Sequence, residues 1–184
     1  FDIVLANPPY VRQESLDAVD QQAYAHAFPG VHAGTADLLV YFYARAVQVL
    51  RDRGQLSFIT SNSFVKRSYG RSLRKFLAQN VAIDDVIDFG ETSVFDAAVE
   101  PYILVGKKCA PTASHEMDAH FLFVEIARRA GRRGSVSAVR EQLGELPSLL
   151  AADCVHLRQE QFTENEWKIE PPEVDVLSKK DQNE

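Results

Sequence analysis

Phe1-Asp2-Ile3-Val4-Leu5-Ala6-Asn7-Pro8-Pro9-Tyr10 opens the chain, and its reading decides the fold. Residues 1–6 form a short apolar run that reads as a strand. Two consecutive prolines cannot donate to a ladder, so the strand stops and a loop begins at Asn7. Residues 11–36 are mixed and polar, with Pro29, Gly30 and Gly34, and read as a long loop carrying a helical stretch over 18–27. Residues 37–53 give the clearest helix. Leu39, Phe42, Ala46 and Val49/Leu50 recur at helical spacing, Asp37 stands in the first turn, Arg51 and Arg53 in the last, and Gly54 just beyond.

Further along, 56–60 reads as a buried strand and 68–79 as a helix with Leu73, Phe76 and Leu77 as its stripe. Two strands follow, at 86–89 and 102–105. The order strand, helix, strand, helix, strand, strand indicates an α/β doubly wound sheet whose last two strands form an antiparallel pair. Beyond Pro111 the regularity weakens: 121–126 reads as a strand, 138–143 as a short helix and 155–157 as a strand. The expected organisation is a unit over 1–110, a small α+β extension over 111–161 and an acidic linker over 162–184.

Net charge is −6, but its distribution carries more information than its sum. From Glu160 onward there are eight acidic and three basic residues, so the acidity sits mostly in the tail. The segment 62–83 holds Lys66, Arg67, Arg71, Arg74 and Lys75 with no acidic residue, and Arg128, Arg129, Arg132 and Arg133 form a second basic group. Lys66, Arg67 and Arg71 are the candidates for phosphate contact; a solvated helix face is the plain alternative. Apolar runs are far too short for a membrane span, and the absence of a signal pattern points to a cytoplasmic protein. Cys109 and Cys154 show neither metal nor disulfide spacing. His26, His32, His115, His120 and His156 show no ligand spacing either, so no metal site is expected. Ser61 and Ser63 lie in no nucleophile elbow, and Gly30, Gly34 and Gly70 make no phosphate-cradling loop.

The chemistry lies in Asn7-Pro8-Pro9-Tyr10. An amino group conjugated to an aromatic base is a poor nucleophile, because its lone pair is delocalised. A site that accepts hydrogen bonds from both amino hydrogens favours the pyramidal nitrogen of a transfer transition state. Asn7 offers a side-chain carbonyl, Pro8 a backbone carbonyl, and Pro8 and Pro9 hold both still. Tyr10 offers an aromatic face for an extruded base. The plain reading of the same four residues is a proline-terminated strand followed by an aromatic.

Residues 1–108 resemble the amino-methyltransferase family of adenine-specific DNA-modifying enzymes, of the restriction–modification and phage-defence type. The resemblance rests on the stretch 1–11, on Ala36-Asp37-Leu38-Leu39-Val40-Tyr41-Phe42, on 49–64, on Ser72-Leu73-Arg74-Lys75-Phe76-Leu77, on Ile87-Asp88-Phe89-Gly90, on Val94-Phe95 and on Trp167. It implies the C-terminal half of a Rossmann-like methyltransferase sheet, mostly parallel with one antiparallel strand. It further implies S-adenosylmethionine as cofactor and double-stranded DNA with a flipped adenine as partner. Asn7, Pro8, Pro9 and Tyr10 would hold the adenine, Phe95 would stack on its other face, and Asn7 and Pro8 would keep a partial cofactor contact. The family's glycine-rich cofactor loop and ribose-binding acid have no match here. The expectation is therefore an excised piece that owns one side of the cofactor crevice, is inactive alone and self-associates through the bare strand at 1–5. Two other readings stand beside it: a methyltransferase acting on a protein glutamine amide, and a non-catalytic DNA-binding module that keeps the fold.

Overall fold

The computed structural model describes residues 1–90, 100–122, 150 and 154–171. The opening strand, β1 (Ile3–Ala6), lies parallel to β2 (Gln55–Ser61) with Ile3 beside Gln55 and Ala6 beside Phe58. Between them the chain runs through α1 (Ala18–Ala27) and α2 (Leu38–Val49). After β2 come the short helix α3 (Ser63–Lys66), α4 (Arg71–Asn80) and β3 (Val81–Asp88). β4 (Pro101–Lys108) then inserts between β2 and β3, antiparallel to both. β5 (Glu116–Phe121) joins β3 in parallel, and β6 (Val155–Arg158) closes the row antiparallel to β5. The result is one six-stranded sheet in the order β1-β2-β4-β3-β5-β6. Among the described residues four strands share a direction, and of those within 1–110 β4 alone opposes it, as the sequence implied. The strands of the extension continue the same sheet along β3. Among the described residues no helix is long and apolar enough to cross a membrane.

α2 covers the sheet because Leu39, Val40, Tyr43, Ala44, Ala46 and Val47 are all buried, with Tyr43 stacked on Phe58 at 4.4 Å between ring centroids. Phe42, Arg45 and Gln48 face solvent, Phe42 against the expectation that placed it in the inward stripe, but the side bearing Tyr41 is covered. Tyr41 stacks on Tyr24 of α1 at 4.5 Å and receives Phe28 and His32, whose Nδ1 lies 2.8 Å from the Tyr41 hydroxyl. The long loop thus becomes a second layer over α2. α4 presents Leu73 and Leu77, both fully buried, with Phe76 at the margin.

Three expectations need correction. The helix expected over 37–53 ends at Val49, and residues 50–54 form a turn. Arg53 adopts a left-handed φ of 59° and donates its N–H to Lys108 O, while Lys108 N–H bonds Gly54 O. These bonds to the end of β4 replace helical ones. Gly54 permits the close approach, since a Cβ there would stand 2.9 Å from Arg51 O. Of the strand expected at 121–126, Phe121 is the last residue of β5, which begins earlier, at Glu116, where its ladders with β3 and β6 are made, and 123–126 lie outside the described residues. The helix expected at 138–143 lies outside the described residues. Finally, the acidic linker does not begin at 162. Phe162, Trp167 and Ile169 are buried while Glu166 and Glu170 face solvent. Apolar residues spaced among the acids turn inward, and the Trp167 ring meets Phe64 and Phe162 edge-on.

Candidate active site

The carboxyl ends of β1, β2 and β3 and the start of β4 converge at one edge of the sheet, the usual ligand side of an open α/β fold. Each contributes a turn. From β1 comes the tetrapeptide: Pro8 is buried, and Asn7 and Tyr10 are exposed, Tyr10 at 38%. Val11 O accepts the N–H of Leu38, and Asp37 Oδ1 accepts that of Gln13 at 2.9 Å. Asp37 was read from the sequence as a first-turn acid. It lies just before α2, and its carboxylate ties down the loop that follows Tyr10.

From β2 comes Ser61-Asn62-Ser63. Asn62 is 6% exposed; it donates its side-chain N–H to the Glu100 carboxylate at 2.6 Å, and its backbone N–H to Glu100 O. The Ser61 and Ser63 hydroxyls lie 2.7 Å apart. Tyr69 stands across from them. Burial first, then the Asp37 carboxylate, push its phenol well above the ordinary value, so it stays a neutral donor at any working pH. Burial likewise raises the Tyr10 phenol.

These groups line a cleft of about 520 Å³ with Tyr10, Arg12, Asp37, Asn62, Lys66, Arg67, Tyr69 and Glu100 in its walls. On the other side of the tetrapeptide lies a shallower hollow of about 410 Å³, lined by Leu5, Ala6, Asn7, Ser57, Ile59 and Ile103. Its walls are mostly apolar, whereas those of the cleft are polar and partly cationic. Asn7 therefore borders one concavity and Tyr10 the other.

The basic segment divides by role. Lys66 and Arg67 line the cleft. Arg71 lies outside that lining and faces Glu164 at 3.5 Å in an exposed pair. Arg74 is 2% exposed and serves the backbone: Nη1 donates to Phe64 O at 2.6 Å and to Arg67 O at 2.8 Å, and Nε donates to Glu164 O at 3.1 Å. It anchors the turn that carries Lys66 and Arg67. Gly70 completes that turn, since a Cβ there would meet Phe64 O at 2.1 Å. Phe95, Arg128, Arg129, Arg132 and Arg133 lie outside the described residues. Sequence reading missed Asn62, Tyr69 and Glu100. The position of Ser61-Asn62-Ser63 directly after a buried strand was a usable signal; for Tyr69 and Glu100 there was none.

The family model described as Eco57I restriction-modification methylase matches residues 1–95. The Type II methyltransferase M.BstVI of Geobacillus stearothermophilus is 36% identical over 102 residues, covering 55% of this chain and 18% of the relative. The Type II methyltransferase M.BanIII of Aneurinibacillus aneurinilyticus is 37% identical over 107 residues, covering 58% and 18%. The chain thus spans less than a fifth of the length of these relatives. Among solved structures, the type IIG restriction endonuclease BpuSI superposes with a TM-score of 0.63 at 17% identity, covering 87% of this chain and 19% of that one. A putative class I S-adenosylmethionine-dependent methyltransferase from Listeria monocytogenes gives 0.53 at 16%, covering 81% and 42%. At these identities the superpositions speak to the fold, and the sheet is that of this class. With more than half its residues matched by the family model, the chain belongs to the Eco57I restriction-modification methylase family.

Proposed function

We propose that this chain holds the target base in an adenine-specific DNA methyltransferase of a restriction–modification or phage-defence system, a cytoplasmic enzyme. The observation that carries the reading is the tetrapeptide's position between two concavities of different character. Tyr10 borders a polar cleft with Lys66 and Arg67 on its wall, and Asn7 borders the apolar hollow. A base drawn out of the duplex would enter the cleft and stack on Tyr10, with the two cations placed for the flanking phosphates. Asn7 Oδ1 and Pro8 O would accept the amino hydrogens, and the buried Pro8 keeps that pair from reorganising.

The methyl-bearing end of S-adenosylmethionine would lie at the rim of the hollow beside Asn7, whose side-chain carbonyl, rather than the apolar wall of Leu5, Ile59 and Ile103, suits the positive sulfonium. When bound, that cofactor supplies an electrophilic methyl group. Asn7 and Pro8 would form the wall nearest it. No general base is required of the chain, since the methylated amine loses its proton readily to water.

The test uses the full-length protein with DNA and radiolabelled cofactor, followed by hydrolysis to nucleosides and mass spectrometry. The expected product is N6-methyladenine. Asn7→Ala should lower its rate ~10²–10³-fold, the usual cost of one transition-state acceptor, with cofactor affinity changed no more than a few-fold. Methylated cytosine or methylglutamine as the product would overturn the adenine assignment, and near-normal turnover of the variant would remove Asn7 from its role.

A further inference from the structure

A second cluster of reactive side chains lies far along the sheet from the cleft, on β3, β5 and β6. Asp118 of β5 pairs in register with Asp85 of β3 on one side and with His156 of β6 on the other. Laterally paired positions share a face. His120 lies two residues beyond Asp118 and Cys154 two before His156, so both join that face. His156 Nδ1 is 2.6 Å from Asp118 Oδ1, and Cys154 Sγ is 3.8 Å from His156 Nε2. His120 Nε2 is 3.2 Å from Asp85 Oδ1. The ligand atoms of Asp118, Cys154 and His156 all lie within 4.8 Å of one another, as do those of Asp85, Asp118 and His120. Asp118 belongs to both sets.

We propose that Cys154, His156 and Asp118 form a binding site for one zinc-class divalent ion, with Asp85 and His120 as its inner wall. Thiolate, imidazole and carboxylate are the donors a borderline-soft ion takes. Two donors on one tetrahedral zinc stand roughly 3.5 Å apart; His156 Nδ1 lies 2.6 Å from Asp118 Oδ1 and 4.0 Å from Cys154 Sγ, so an ion set between these three atoms needs shifts of less than ~1 Å. An ion on the Nδ1 side would displace the proton between Nδ1 and Asp118 Oδ1 and leave the His156 proton on Nε2. Binding releases the Cys154 proton to solvent. His120, whose side chain is 9% exposed, holds its Nε2 at 3.2 Å from Asp85 Oδ1 and forms the buried side of the site. His156 is 71% exposed, so water completes the coordination and the site opens outward. Its effect would be to clamp β6, the edge strand, onto β5.

The experiment titrates metal-free, tag-free protein with Co²⁺ under reducing conditions. One equivalent should produce a thiolate-to-cobalt charge-transfer band, and one equivalent of Zn²⁺ should remove it. Cys154→Ser should abolish the band, Cys109→Ser should retain it, and His156→Ala and Asp118→Asn should each weaken binding at least ~10-fold. Zn²⁺ should also raise the melting temperature of the wild type and leave that of Cys154→Ser unchanged. Absence of the band at stoichiometric Co²⁺, or its persistence in Cys154→Ser, would overturn the site.

Discussion

Asp88, at the carboxyl end of β3, illustrates how a half-buried carboxylate carries a cost. It ends β3, and its Oδ1 accepts the Gly90 N–H at 2.7 Å, with Gly90 at a left-handed φ of 56°. Burial raises its carboxyl pKa and outweighs the lowering by that hydrogen bond and by Lys66. The folded state therefore holds the Asp88 proton more tightly than the unfolded state does. Linkage then dictates that stability falls as pH rises from the ordinary carboxylate value through the raised one, and is level above it. Asp88→Asn keeps the acceptor for Gly90 and removes the charge. Urea unfolding from about pH 4 to about pH 7 should show the wild type losing ground to this variant as pH rises; parallel profiles would refute the argument. Asn7 and Tyr10 were legible from sequence because prolines beside them leave few conformations. Glu100, which holds Asn62, was not, because nothing in its neighbours marks it.

Elements are held in register partly by side chains that behave as backbone. Gln159, 1% exposed, lies just past β6 and bonds β3 like a strand: its Oε1 accepts Ile83 N–H at 2.8 Å, and its Nε2 donates to Val81 O at 2.7 Å. It serves the stretch of β3 that lies before the pairing with β5 begins at Asp85, next to the irregularity between Ile83 and Asp85. His115 Nε2 lies 2.8 Å from Ile83 O beside it. Gln159→Leu would leave two buried backbone groups without partners, each worth roughly 1–3 kcal/mol. The expected loss is about 2–4 kcal/mol in chemical denaturation; a change under about 0.5 kcal/mol would show that water or another group replaces the amide. Helix α2 shows the other side of element-level reading. Leu39 and Ala46 of the stripe expected from its sequence turn inward while Phe42 faces solvent, and its end at Val49 depends on hydrogen bonds from the turn at 50–54 to Lys108, which is distant in sequence.

At the scale of the molecule, β1 is an edge strand among the described residues, and Phe1, Ile3 and Leu5 are 78%, 56% and 73% exposed. An uncovered apolar edge with open ladder groups is a template for another strand. The 184-residue chain should therefore self-associate through β1, and light scattering should give a mass above 20.6 kDa that rises with concentration. Leu5→Lys should return it to a monomer. A monodisperse monomer of the unmodified chain at high concentration would sink this expectation.

By itself the sequence determined the α/β alternation, the strand that stops at Asn7, the presence of α2, the inward stripe of α4, and the family. Each of these is encoded locally, in the spacing of apolar residues or in the stiffness of proline. Only the tertiary structure decided that Trp167 and its acidic surroundings pack onto the core, that Arg74 holds backbone while Lys66 and Arg67 line the cleft, and that β4 inserts between β2 and β3. It also decided the company of Cys154, whose partner Asp118 lies 36 positions away in sequence. Strand register brought those two together, and register is set by the whole sheet, which no local pattern contains.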